Sequence, residues 1–123
     1  GLATPEAIRN KTDSFMDRLE NGRILAAYKD MKTVLGVDSA PFMDDAEKAR
    51  KFLKQVRDRI GAPLDSALIR TDIIEGHFQR LSYLQKFKSA ALHWRFTFYR
   101  PQEQWQLVGV SYSTDLDSLY RAD

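Results

Sequence analysis

The chain contains no cysteine. Disulfides, thiolate nucleophiles and cysteine-ligated metals are therefore excluded, while the compartment stays open, since a reduced interior and an exported fold without staples both fit. Histidine is almost as scarce. His77 stands beside a turn signal and His93 inside a strand-like run, and no His-x-x-x-His or clustered carboxylate spacing accompanies them. No metal and no cofactor is predicted. Long apolar runs are missing too: nothing approaches the roughly 20 residues that span a bilayer, so no transmembrane segment is expected. Charge of one sign is in short supply, with 19 Lys+Arg against 17 Asp+Glu and a formal net charge of +2. That is too little to imply a polyanionic partner. Gly22, Gly36, Gly61 and Gly76 stand at the ends of periodic segments, where they read as caps and turns rather than a phosphate loop. No nucleophile-elbow motif supports a Ser-His-Asp triad.

What the chain does have is a strongly patterned last third. Leu92, Trp94, Phe96 and Phe98 occupy every second position, and His93, Arg95, Thr97 and Tyr99 alternate with them. That is the period of a strand with one dry and one polar face. The cluster Arg100-Pro101-Gln102-Glu103-Gln104 leads into a second such run, Trp105 to Thr114, which predicts a hairpin. Two further strands are predicted upstream, Ser66 to Ile74 and His77 or Phe78 to Phe87, joined by the turn signal Glu75-Gly76.

Helical spacing fills the first half. Thr4 is suited to cap a helix with Pro5 at its first position, and Ile8, Thr12, Phe15 and Leu19 share one face up to Asn21-Gly22. Ile24, Tyr28, Met31 and Leu35 predict a second helix ending at Gly36, followed by a loop from Val37 to Met43. A third helix is predicted to open at Asp44-Asp45 and to bury Ala49, Phe52, Leu53, Val56 and Ile60. Its other face carries Lys48, Arg50, Lys51, Lys54, Arg57 and Arg59, diluted by Glu47 and Asp58; this reads as a solvated face, and no nucleic-acid partner is predicted. Asp115 to Tyr120 predicts a short terminal turn packing Leu116, Leu119 and Tyr120.

Helices first and an antiparallel meander afterwards predict an α+β fold, with three N-terminal helices packed on a four-stranded antiparallel sheet. One domain over residues 1–123 is expected, with residues 1–3 as a tail. The succession of helices, W-R-F-T-F-Y-R (Trp94 to Arg100) and W-Q-L-V-G-V-S-Y (Trp105 to Tyr112) resembles the cystatin-like or NTF2-like α+β superfamily, and within it small bacterial domains that are often exported. The resemblance implies a periplasmic or secreted setting, otherwise a cytoplasmic one; the start Gly1-Leu2-Ala3-Thr4-Pro5, without Met, fits removal of a signal peptide and equally a trimmed tail. It does not choose a function, because that superfamily holds isomerases, dehydratases and plain binding domains alike.

The expected role is a non-enzymatic binding or interaction domain, holding a small apolar ligand in a helix–sheet cleft or docking a second copy on its sheet as a homodimer. The alternative is a small lyase or isomerase using the same cleft, with Asp72 and Tyr83 cast as base and acid. No catalytic residue is assigned. His93, Arg95 and Tyr99 share one side of their strand and are the candidate ligand-binding residues, with Tyr83 joining from the neighbouring strand. His93 is expected to face water and to titrate near its ordinary value.

Overall fold

The computed structural model describes residues 1–120. Helix α1 spans Pro5–Glu20; the Thr4 side chain accepts a hydrogen bond from the Ala7 N–H at 3.1 Å, and Ile8, Thr12, Phe15, Met16 and Leu19 form its buried stripe. Gly22, at φ 73°, takes the left-handed conformation that lets the chain turn back, and the Arg23 N–H then closes on the Arg18 carbonyl at 2.8 Å. Helix α2 spans Ile24–Met31 and buries Ala27, Tyr28 and Met31.

Two boundaries differ from the expected ones. Helix α2 tightens into a 3-10 turn over Lys32–Val34, and Leu35 is extended rather than helical, bridging in parallel to Leu107. Helix α3 spans Ser39–Ile60 and so starts five residues before Asp44. Asp38 caps it, accepting from the Ala40 N–H at 3.2 Å. Pro41 lies inside the first turn, where a missing N–H costs nothing because the helix supplies no acceptor there. The terminal turn is a 3-10 segment over Asp117–Tyr120, and Tyr120 does not pack: it is 85% exposed.

The sheet is an antiparallel meander in the order β1-β2-β3-β4. Its strands are β1 (Asp65–Ile74), β2 (Phe78–Lys86), β3 (Ala91–Tyr99) and β4 (Gln106–Ser113). Register aligns Leu68, Tyr83, Trp94 and Tyr112 across the sheet, then Thr71, Leu81, Phe96 and Val110, then Ile73, Gln79, Phe98 and Leu107. This is the side on which the helices lie. Phe15 is the pivot of the interface, with its ring edge-on to Tyr28 at 5.1 Å, Trp94 at 5.7 Å and Phe96 at 5.0 Å. Phe52 of α3 stacks on Tyr112 at 5.3 Å. Trp94, Phe96 and Phe98 are fully buried, each worth on the order of 1.5–3 kcal/mol in water excluded. The Trp94 indole N–H donates to the Gln85 Oε1 at 2.8 Å, so its polar atom is satisfied in the core.

The two edges of the sheet are treated differently. Along β4, the Gly36 N–H donates to the Leu107 carbonyl at 2.9 Å, and the chain after α2 runs beside the strand. A Cβ on Gly36 would fall 2.8 Å from the Gln106 Cβ, so this close approach needs glycine. Along β1, the first half is met by α1, where the Ser66 hydroxyl donates to the Glu20 carboxylate. A bulge lies between Leu68 and Arg70, and regular pairing with β2 runs from Arg70 to Ile74 beyond it.

Candidate functional site

Several hollows lie around this frame, and three of them gather the candidate residues or clusters of charge. The residues meant to line a helix–sheet cleft on β3 do not face it. His93, Arg95 and Tyr99 alternate with buried Trp94, Phe96 and Phe98, so they point to the side of the sheet opposite the helices. Tyr83 points the other way: its hydroxyl donates to the Asp13 Oδ1 at 2.5 Å and lies 2.7 Å from the Thr12 Oγ1, both on α1. The fold thus brings His93, Arg95 and Tyr99 together and separates Tyr83 from them by the thickness of the sheet.

On the open face, register places Ala67, Leu84, His93 and Ser113 in one row, and Arg70, Ser82, Arg95 and Ser111 in the next. Asp72, Arg80 and Thr97 follow, and Ile74, Phe78 and Tyr99 finish the face. The Arg80 Nε–H donates to the Thr97 hydroxyl at 3.2 Å, and the Arg70 Nε–H to the Asp72 carboxylate at 3.2 Å. Phe78 and Tyr99 stack at 4.8 Å. Together these form a groove of about 440 Å³ whose lining includes Arg70, Asp72, Ile74, Phe78, Arg80 and Thr97. It has an apolar end and a cationic middle, with Asp72 the one carboxylate among its described lining residues.

His93 departs from the water-facing expectation. It is 5% exposed, and its Nε2 has no hydrogen-bond partner among the described residues. Burial, and then the nearby Arg95 charge, hold its pKa below the ordinary histidine value. Leu84 and Ser113 lie directly opposite it on the flanking strands. Alternation alone assigns a residue to a face, but not how closely its neighbours crowd it.

The second hollow, about 480 Å³, lies between α1 and β1, and Arg9, Asp13, Asp17, Glu20, Ser66 and Tyr83 are among its lining residues. Here Arg9 Nε–H reaches both Asp13 oxygens, at 2.9 and 3.0 Å, while Tyr83 donates to the same carboxylate. Burial, reinforced by the bond to Asp13, raises the Tyr83 pKa well above the usual phenol value, so it stays protonated. Thr12 bridges helix and sheet, with its hydroxyl also 3.2 Å from the Ile8 and Arg9 carbonyls. Its place in the apolar stripe of α1 is the sequence signal for this cluster: a hydroxyl on a dry face needs a buried partner.

The third hollow, about 370 Å³, lies between the α1–α2 turn, α3 and the end of β2, and includes Arg50, Lys54 and Arg57. Arg50 is paired with Glu47, and Lys54 with Asp58 at 3.0 Å, so the cationic face of α3 is partly neutralised along its own length. No group of residues able to hold a metal ion occurs among the described residues, and no described helix is long and apolar enough to cross a membrane. Three helices followed by a four-stranded meander are compatible with an NTF2-like fold. Compared with known proteins, the chain matches no family, no curated protein and no solved structure.

Proposed function

We propose that this chain is a non-enzymatic interaction domain of the NTF2-like type, and that it receives a protein partner on the open face of its sheet. A bacterial, exported setting belongs to that resemblance. The observation that carries the reading is the groove over β1, β2 and β3, in which Ile74 and Phe78 sit beside Arg70, Arg80 and Asp72. Phe78 is 38% and Ile74 62% exposed, so the apolar end of the groove is open to a partner. Arginine and aromatic side chains are the types that anchor protein contacts. The partner that fits is a segment carrying apolar and acidic side chains, the complement of the groove.

A fluorescein-labelled peptide alternating Phe and Glu tests this by polarisation. It is expected to bind, to weaken with added salt, and to be lost in Arg80→Glu/Arg95→Glu. A peptide alternating Phe and Lys serves as the control. Binding that the double variant leaves unchanged, or no binding of the acidic peptide, would overturn the reading. A simple fatty acid binding with Arg80 and Arg95 irrelevant would point instead to a small apolar ligand.

The lyase or isomerase alternative draws on one observation, the contact of Tyr83 with Asp13 beside the α1–β1 hollow. Asp72 cannot share that site, because it lies across the sheet with Arg80 and Thr97. The Tyr83 proton is already committed to Asp13, and that carboxylate is also engaged by Arg9. The arrangement suits a latch between helix and sheet better than proton transfer to a substrate.

A further inference from the structure

The edge of β1 beyond its bulge carries a pattern that the open-face reading does not use. Ile69 is the residue that the bulge leaves out of register; beyond it the chain reads Arg-Thr-Asp, with opposite charges placed symmetrically about Thr71. Alternation sets Thr71 and Ile73 on the helix side of the strand and Arg70 with Asp72 on the open side. Among the described residues β1 ends the sheet, paired with β2 alone. Ile73 is 62% exposed, so the edge carries apolar surface as well. Such an edge is a template for another strand.

We propose that a second copy of this chain adds to this edge, β1 against β1, antiparallel about a two-fold axis through Thr71. In that register Arg70 faces the Asp72 of the other copy and Asp72 faces its Arg70. The neighbouring registers that keep the same facing are worse. A shift by two residues one way puts Arg70 opposite Arg70; the other way puts Asp72 opposite Asp72. Like charges directly opposite are destabilising, and opposite charges are favourable. A shift by one residue puts apolar side chains against charged ones. The Arg70–Asp72 contact within one strand, 3.2 Å, holds both side chains on the open face beside the edge. The contact buries less than a standard interface, so the dimer is concentration-dependent. The inference goes beyond the open-face reading and stands whether or not the groove takes a peptide.

Sedimentation of the whole chain over a concentration series tests it. The average mass is expected to rise from 14.2 kDa toward twice that value. Arg70→Asp turns both symmetric pairs repulsive and is expected to weaken association at least about tenfold. The exchange Arg70→Asp/Asp72→Arg restores the pairing and is expected to restore the dimer. Because the chain has no cysteine, Thr71→Cys gives a clean reporter that is independent of the charge variants. Opposed residues in an antiparallel pair lie about 4.5–5.5 Å apart at Cα, within reach of a disulfide. Oxidation is expected to cross-link Thr71→Cys but not Ala67→Cys, which does not meet itself in this register. A monomer at every concentration overturns the inference. So does a dimer indifferent to Arg70→Asp, or equal cross-linking at both positions, since the contact would then lie elsewhere.

Discussion

His93 and Tyr83 both carry polar atoms out of water, and they differ in whether a partner meets them. His93 is buried with Nε2 unpartnered, and its folded pKa lies below the ordinary histidine value. The native state therefore binds fewer protons than the unfolded chain across that interval. Stability is full above the unfolded value of about 6.5 and falls as pH drops through it toward the folded pKa. An NMR titration is expected to place the His93 midpoint below 6.5. Urea midpoints should decline between about pH 7.5 and 5.5, and His93→Gln should flatten that decline. An unchanged slope in the variant would remove His93 as the cause. Tyr83, by contrast, is met by Asp13 and Thr12. Tyr83→Phe is expected to cost about 1–2 kcal/mol, a partly buried hydrogen bond to a charged group, with the fold retained. Denaturation in urea measures it, and a cost near zero would show that the Tyr83 hydroxyl adds nothing to the joint between α1 and β2.

Strand β3 is the element the sequence announces most clearly. Four large apolar residues in strict alternation can be buried together only by one face of a strand, and that face proved dry. Trp94→Ala is expected to cost about 3–5 kcal/mol, as for other buried aromatic truncations, read from the denaturation midpoint. An unaltered midpoint would contradict the contacts of Trp94 with Phe15 and Tyr112. Helix α3 was less legible. Pro41 reads locally as a loop residue, yet the cap at Asp38 moves it into the first turn, where proline is harmless. The candidate site was legible in part. Alternation groups His93, Arg95 and Tyr99, because residues two apart share a face whatever the sheet does. It groups Tyr83 with Leu81, but does not say which side of β2 lines up with the His93 side of β3. The register that settles this joins residues far apart in the chain: Thr12 and Asp13 come from 71 and 70 positions away. Alternation also groups Arg80 with Ser82 on a polar face, and pairing to Thr97 across strands then fixes its place in the groove.

For the molecule as a whole, the phenols of Tyr28 and Tyr83 tie the core to its tolerance of alkali. Burial raises both well above the usual phenol value, so the folded state holds two protons that the unfolded chain gives up. Their contribution is fully present below about pH 10 and is lost as pH rises beyond it. Absorbance of tyrosinate is expected to appear in two stages, the second coinciding with loss of the folded far-ultraviolet spectrum. Complete ionisation with the fold intact would mean that water reaches both hydroxyls.

The covered margin of β4 bears on how far any assembly of these molecules can grow. Leu35 and Gly36 lie along that strand, and the Gly36 N–H already occupies the Leu107 carbonyl. A ribbon that lengthens without limit needs two accepting margins on every subunit, one to receive and one to offer. Here β4 is met at Leu107, while β1 beyond its bulge is met on its outer side by no described strand, so the two margins are unequal. Two copies joined through β1 as proposed leave further growth the β4 margin past Leu107, shortened by the segment that lies on it, and this favours a pair over a fibre.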